Sequence, residues 1–156
     1  MIKNKKISMN KFSIEVISKN PKKINGLLSS AGRITIGDFT ETFIMSLDSW
    51  TIEDYRQQWK EAIERIKTHD ASCLVTTAQN ISTYPFIMLW LLYKVENKIF
   101  LQNQLINTEI LEELNLPFKL SEFNIKNCYN LITPREILSE DGETYSEWSV
   151  MLDEIE

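Results

Sequence analysis

The sequence predicts an α+β protein in which a mainly antiparallel sheet packs against one long helix and one or two short helices. Three observations predict this fold class. One stretch has the apolar spacing of a helix, several shorter stretches have the pattern of strands, and turns rather than long crossovers join most of those strands. With 156 residues, 43% of them hydrophobic, we expect a single domain over residues 11–151. A basic, mobile arm (1–10) precedes it and a frayed acidic end (152–156) follows.

The N-terminal part of the domain predicts strands. Residues 11–18 alternate apolar and polar side chains, and Asn20-Pro21 ends that run. Residues 22–32 are basic and then small, without a sustained period, and indicate a loop that contains at most a short helical turn. Residues 33–47 hold two strand-like runs divided at Gly37-Asp38, where a bulge or tight turn changes the chain direction.

Glu41 interrupts the apolar face of the second of these runs. Alternation places it on the same side of the strand as Phe39, Phe43 and Met45. An acid in that position lies at a sheet edge or points into a pocket, and the edge is the commoner arrangement.

Residues 50–68 form the clearest element, an amphipathic helix. Asp48, Ser49 and Thr51 can each cap a helix, and Thr51 and Asp54 have the spacing of a capping box, so the helix is expected to start near Ser49–Thr51. It ends near His69-Asp70, because residues 72–77 change to the β-branched, apolar character of a strand. The apolar stripe predicted to face the core consists of Tyr55, Trp59, Ala62, Ile63 and Ile66.

The middle of the chain predicts a hairpin. Residues 84–95 and 98–106 are its arms and Glu96-Asn97 its turn. The first arm is apolar on both faces, as expected of a central strand covered by the helix. Residues 108–116 then form a short helix, capped by Asn107 and ended by Pro117.

The C-terminal part predicts one more helical turn and a second hairpin. The turn spans residues 120–123, and a short strand follows at 128–132. Residues 140–143 carry an Asp-Gly turn signal, and 144–151 form the second arm of a terminal hairpin.

The residue types required for catalysis do not come together in the sequence. Cys73 and Cys128 lie in apolar runs without C-x-x-C spacing and are interpreted as reduced core cysteines, although a bridge between them stays open. His69 is the only histidine, and its position at a helix end suits a cation near the dipole. Three Cys and His residues without ligand spacing predict no metal site. No glycine-rich phosphate loop is present, so no cofactor is expected.

The charge is distributed unevenly along the chain. Residues 1–33 carry a net charge of +7, whereas residues 34–156 carry −12. From residue 136 to the end there are eight acids and no base. Such a surface suits a basic partner, although acids that merely solvate a terminal hairpin give the same pattern. The longest apolar run, 85–93, is too short to cross a membrane, and no export signal follows the basic start, so a cytoplasmic protein is expected.

Two separate stretches resemble one protein family. The first is FTETFIMSLDSWTIEDYRQQWKEAIERI at 39–66, and the second is the G-E-x-x-S-E-W pattern at 142–148. Together they resemble the small bacterial immunity proteins of contact-dependent growth inhibition systems. The resemblance implies a stoichiometric inhibitor, not an enzyme, that binds the toxic C-terminal domain of a secreted effector. That toxin is commonly a nuclease, and a nuclease that grips phosphates presents a basic cleft.

The acidic surface near the C-terminus is therefore the predicted binding site for the toxin, with the exposed charged residues of the long helix as a second candidate. The predicted toxin-binding residues are Glu140, Asp141, Glu143, Glu147, Asp153 and Glu154. Two alternatives remain at this point: a small hydrolase that uses Cys73 and His69, and an RNA-associated protein that uses the basic arm. That arm lacks the interleaved aromatic residues of a stacking platform, so direct nucleic-acid binding is not the favoured interpretation.

Overall fold

The computed structural model describes residues 12–18, 20–81 and 84–155, and the predicted arm at 1–10 lies outside these ranges. The fold is α+β, as predicted, with two four-stranded sheets, both built from antiparallel pairs. The strands are β1 Phe12–Val16, β2 Lys22–Ile24, β3 Leu27–Ile36, β4 Phe39–Ser46, β5 Ala71–Gln79, β6 Phe86–Val95, β7 Lys98–Ile106 and β8 Trp148–Met151. The helices are α1 Ile52–Thr68 and α2 Thr108–Glu113, and short 3-10 helices span Leu120–Glu122, Cys128–Leu131 and Leu152–Glu154.

The first sheet is built around β3. Its N-terminal half pairs with β2, its C-terminal half pairs with β1, and β4 lies along its other side. The predicted change of direction at Gly37-Asp38 is confirmed as the β3–β4 turn, where Gly37 has a φ of +62°. That value lies in the left-handed region, which glycine adopts without a Cβ clash.

The loop predicted at 22–32 is wrong, because most of this segment is a β-hairpin. Asn25 and Gly26, with φ values of +52° and +83°, form the turn between β2 and β3, and Asn-Gly is the residue pair that such a two-residue turn favours. The small residues that obscured the strand pattern have a packing role. A Cβ on Gly32 would lie 2.4 Å from Cζ of Phe43, so only glycine admits that ring.

The second sheet has the order β5-β6-β7-β8. The β6–β7 hairpin with its turn at Glu96-Asn97 is confirmed, and β6 is an interior strand, as its two apolar faces predicted. The strand predicted at 72–77 is longer and contains a β-bulge between Val75 and Thr77. The extra residue of a bulge changes which backbone groups point to each side of a strand.

Helix α1 begins and ends where the sequence predicted. Asp54 N donates to Thr51 Oγ1 at 3.1 Å and Thr51 N donates to Asp54 Oδ2 at 2.9 Å, which completes the capping box, and His69 is the C-cap. Four of the five predicted core residues are buried, whereas Ile63 is half-buried and Gln58 is buried instead. A buried glutamine needs hydrogen-bond partners for both amide groups.

Those partners are backbone groups of β5 that do not pair with β6. Gln58 Nε2 donates to Cys73 O and Gln58 Oε1 accepts from Val75 N, both at 2.8 Å, while Trp59 Nε1 donates to Val75 O at 2.8 Å. Tyr55 Oη accepts from Ala78 N at 2.9 Å, beyond the bulge. Side chains of α1 therefore occupy the place of a neighbouring strand along the free side of β5.

Aromatic residues join the two sheets. The ring of Phe39 on β4 lies 4.4 Å from that of Trp148 and 6.1 Å from that of Trp90, centroid to centroid. Tyr55 Oη also donates to Ser46 O at 2.6 Å, so this hydroxyl connects β4 with β5. The two sheets thus share one core.

The C-terminal third differs most from the sequence prediction. The strand predicted at 128–132 is the 3-10 helix Cys128–Leu131, preceded by a turn in which Asn124 Oδ1 accepts from Asn127 N at 2.9 Å. Only Trp148–Met151 of the predicted arm at 144–151 is a strand, and it pairs with β7. We expected residues 152–156 to be frayed, but in the structure the 3-10 helix Leu152–Glu154 follows β8 and Ile155 is buried.

We predict that Gln58→Leu lowers the free energy of unfolding by about 2–4 kcal/mol, because it leaves the buried Cys73 O and Val75 N without partners. Urea denaturation followed by tryptophan fluorescence measures this loss. Gln57→Leu is the matched control, since Gln57 is exposed and its side-chain amide donates to Glu61 on the same helix. We expect an effect within about 0.5 kcal/mol. Equal losses in both variants would contradict this role for Gln58.

Candidate functional site

Residues 136–145 form a projecting hairpin, here called the acidic loop. Leu138 and Thr144 form an isolated antiparallel bridge, and Tyr145 N donates to Ile137 O at 3.0 Å. The turn is closed by Ser139 N donating to Glu143 O at 2.8 Å, and Gly142 adopts a φ of +82°. The Asp-Gly turn signal at 140–143 is therefore confirmed, although the arms of the hairpin are shorter than predicted.

A pair of charged residues closes the base of the acidic loop. Arg135 donates from Nε and Nη2 to the two carboxylate oxygens of Glu147 at 2.8 and 2.7 Å. Gln102 Nε2 on β7 donates to Glu147 Oε2 at 2.8 Å and to Glu136 O at 2.9 Å. The Arg135 guanidinium also lies 4.0 Å from the centroid of the Phe100 ring. These contacts hold both ends of the loop on β7.

The ion pair between Arg135 and Glu147, here called the clamp, changes the acidity of the Glu147 carboxyl group. Hydrogen bonds from Arg135, aided by one from Gln102 and opposed by partial burial, lower the pKa of Glu147. The carboxylate therefore stays ionised, and the loop stays anchored, at every pH near neutrality.

The acidic loop presents exposed apolar side chains among its acids. Ile137, Leu138 and Tyr145 are 56%, 57% and 43% exposed. No lysine or arginine occurs from residue 136 to the end of the chain. Neighbouring apolar side chains surrounded by like charges are typical of a surface that another protein covers. The acidic loop is therefore the candidate interaction surface of this chain.

The structure divides the six predicted binding residues into three groups. Glu140, Asp141 and Glu143 lie together on the exposed turn of the loop. Glu147 is held in the clamp, with both carboxylate oxygens engaged. The remaining two, Asp153 and Glu154, follow β8 at its far end, where Glu154 Oε1 accepts from Met151 N at 2.8 Å and caps a 3-10 helix.

Several residues of this surface were not predicted from the sequence. Arg135 was not singled out because its pairing with Glu147 spans a loop whose shape the sequence does not reveal. Ile137 and Leu138 are an apolar pair beside an acidic turn, a signal that also fits a buried strand. Only the turn residues 140–143 were indicated by local sequence chemistry.

The geometry argues against a hydrolytic site at Cys73 and His69. Cys73 is fully buried, and its hydrogen bond with Cys128 and its burial raise the pKa of the thiol. A thiol in that state is a poor nucleophile. His69 is exposed, and its Nδ1 lies 2.9 Å from Thr68 Oγ1, so the imidazole is turned toward the helix end. Cys73 and Cys128 are free thiols that lie close together in the core.

Two further features concern metals and membranes. Within residues 12–18, 20–81 and 84–155, the Cys, His, Asp and Glu side chains form no group of three that could hold a metal ion. Among the helices that the structure describes, none combines the length and apolar character needed to cross a membrane.

Comparison with known proteins relates this fold and surface to one family. The family model described as the CdiI N-terminal domain matches residues 45–156. A relative named immunity protein CdiI, from Enterobacter cloacae subsp. cloacae, is 28% identical over 136 residues, which cover 86% of this chain and 88% of the relative. In a solved structure, the CdiA-CT/CdiI toxin and immunity complex from Enterobacter cloacae, one chain is 26% identical, with a TM-score of 0.75 and 91% of each chain covered.

These matches agree with the resemblance found in the two sequence stretches and with the prediction of a non-enzymatic protein, since the named relative is an immunity protein. The likeness extends over most of both chains, so it concerns the whole fold and not an isolated motif. The family model alone covers well over half of the sequence, and the protein belongs to the CdiI family of immunity proteins.

Proposed function

We propose that this protein binds the C-terminal toxin domain of a cognate contact-dependent growth inhibition effector and neutralises it as a stoichiometric inhibitor. The observation that carries this proposal is the likeness, over 91% of the chain, to a chain of a toxin and immunity complex. Neutralisation by a bound protein requires a complementary surface rather than a catalytic set, and the acidic loop supplies such a surface. We place this encounter in the cytoplasm, where an incoming toxin meets its substrate.

The toxin is, in this proposal, a nuclease with a basic cleft. Glu140, Asp141 and Glu143 are exposed on a turn that projects from the sheet, with no lysine or arginine in the loop to offset their charge. Exposed charges of one sign attract an oppositely charged partner over roughly a Debye length of 8–10 Å and raise the association rate. Beside these acids, the exposed apolar side chains of Ile137 and Leu138 supply apolar surface that is buried when the toxin docks.

Co-expression tests the proposed function directly. The toxin domain encoded immediately upstream of this protein is produced alone or together with it, and we expect growth arrest only when the domain is produced alone. Purified proteins are then mixed and examined by size-exclusion chromatography. If co-expression does not rescue growth and the purified proteins form no one-to-one complex, the proposal is overturned.

Charge reversal tests the role of the acidic loop. We expect the triple variant Glu140→Lys, Asp141→Lys, Glu143→Lys to associate with a basic toxin domain at least about tenfold more slowly, and with a weaker dependence on salt, because electrostatic steering is reversed. Stopped-flow measurements at several salt concentrations give the association rates.

The matched control for this charge reversal is Glu109→Lys, Glu112→Lys, Glu113→Lys on α2. These three acids are also exposed, and replacing them by lysine changes the net charge by the same amount. We expect the association rate to fall less in this control, because its three substitutions lie outside the acidic loop. If the two triple variants associate equally fast, the toxin does not approach through the acidic loop.

A pH series tests the clamp at the base of the loop. Glu147→Gln is expected to lower the free energy of unfolding by about 1–3 kcal/mol at pH 7, because charge-assisted hydrogen bonds are lost. The folded-state pKa of Glu147 is lowered, so its stabilising effect is complete above the unfolded carboxyl pKa of about 4.3 and is lost as the pH falls through the folded value. The difference between variant and wild type therefore shrinks below about pH 4.

Urea denaturation between pH 3 and pH 7 measures that difference. Glu143→Gln is the control, because Glu143 belongs to the same loop but is exposed and outside the clamp. Its effect is expected to stay within about 0.5 kcal/mol at every pH. A Glu147→Gln loss that did not change with pH would indicate altered packing instead of a lost ion pair.

A further inference from the structure

A cleft of about 520 Å³ lies between β4 and the second sheet, and no residue of the acidic loop is among its lining residues that the structure describes. Strand β4 and Ala31 of β3 form one wall, and β5, β6 and β7 form the others. Thr77 Oγ1 donates to Ile44 O at 2.6 Å, which fixes β4 beside the bulge of β5 at the cleft. Its lining includes Glu41, Ile44, Phe86, Met88 and Asn103.

Among the described residues that line this cleft, Glu41 is the only charged one. It lies on the less exposed face of β4, together with Phe39, Phe43 and Met45, and the sequence had left open whether it marked an edge or a pocket. Both descriptions apply, since β4 is an outer strand of its sheet and Glu41 lines the cleft beside it.

No cation neutralises Glu41 within the part of the chain that the structure describes. The ion pairs found there involve Glu15, Glu53, Glu64 and Glu147. The contact made by Glu41 is a hydrogen bond from Asn103 Nδ2 at 3.5 Å, the outer limit of such a bond. A half-buried carboxylate with so little local support is not explained by folding, and it is available to an incoming donor.

The surroundings of Glu41 suit the side chain of arginine. Phe86 and Met88 are half-buried apolar walls, and Ile44 at the rim is 48% exposed. An arginine stem packs on apolar surface while its planar head forms two parallel hydrogen bonds to a carboxylate. A neutral apolar side chain would fill the cleft but leave the carboxylate desolvated and unpaired, which is unfavourable.

We propose that this cleft receives an arginine side chain of the bound toxin domain, with Glu41 as its partner. The proposal rests on the proposed function, because the arginine is assigned to the toxin. Charge complementarity supports it: a carboxylate without an ion-pair partner lies between apolar walls, and the lining that the structure describes contains no lysine or arginine. The acidic loop then raises the association rate, because its charges attract the toxin before contact. The cleft lowers the dissociation rate, because the arginine enters it only after the toxin has docked.

The test uses the full-length protein and the isolated toxin domain encoded upstream. Glu41→Gln removes the charge and keeps the shape, and we expect Kd to rise at least about 30-fold, mainly through faster dissociation, because truncating a desolvated charge partner acts on the dissociation rate. Glu15→Gln is the matched control on the same sheet, since Glu15 is exposed and lies 4.0 Å from Arg33. We expect its Kd to change less than about threefold.

A second pair of variants leaves Glu41 in place. Ile44→Lys adds a cation at the exposed rim of the cleft and should repel an incoming arginine, whereas Thr40→Lys adds the same charge to an exposed position of β4 outside the cleft lining. We expect only Ile44→Lys to raise Kd by about tenfold or more. Circular dichroism and thermal melts establish that all four variants are folded.

The outcomes separate the two proposals. If the wild-type protein binds the toxin domain but Glu41→Gln and Ile44→Lys bind as tightly as their controls, the cleft does not receive an arginine and the proposed function stands. If the wild-type protein does not bind the domain at all, both proposals are overturned. Weaker binding of the two cleft variants alone, with unchanged melting temperatures, supports the arginine site.

Discussion

The structure depends on hydrogen bonds between side chains of α1 and the free side of β5. Cys73 O, Val75 N and Val75 O would otherwise be buried without partners, and each such group destabilises the folded state by about 1–3 kcal/mol. An uncovered strand edge is also a template for pairing with another chain. Gln58 and Trp59 remove both problems, because their side-chain donors and acceptors replace those of a neighbouring strand.

This arrangement explains the spacing of the D-Y-x-x-Q-W stretch. Tyr55, Gln58 and Trp59 are three and four residues apart, so they project from one side of the helix onto consecutive free groups of β5. Because of the bulge, the backbone N–H that faces α1 beyond Val75 belongs to Ala78 and not to Thr77. Tyr55 Oη accepts from Ala78 N and also donates to Ser46 O on β4. The motif therefore serves the scaffold of the protein.

The sequence predicted the elements whose signals are local. The capping box of α1 and the β6–β7 turn depend on residues within a few positions of each other, and both were placed correctly. The β2–β3 hairpin was missed although it contains Asn25-Gly26, because Gly32 and its small neighbours conceal strand alternation. At the candidate site the acidic turn was found, but the Arg135–Glu147 clamp joins residues twelve positions apart, and nothing local indicates that pairing.

In the proposed function, the residues that would contact the toxin differ from those that stabilise the fold. The acidic loop contributes exposed side chains such as Ile137 and Leu138, and its attachment rests on Arg135, Glu147 and Gln102. Substitutions at the turn therefore leave the hydrogen bonds along the free side of β5 unchanged. The effects of substitutions at such distant, independent sites on stability are additive. If the acidic loop binds the toxin as proposed, its charge and shape can change while the hydrogen bonds of α1 keep the two sheets together.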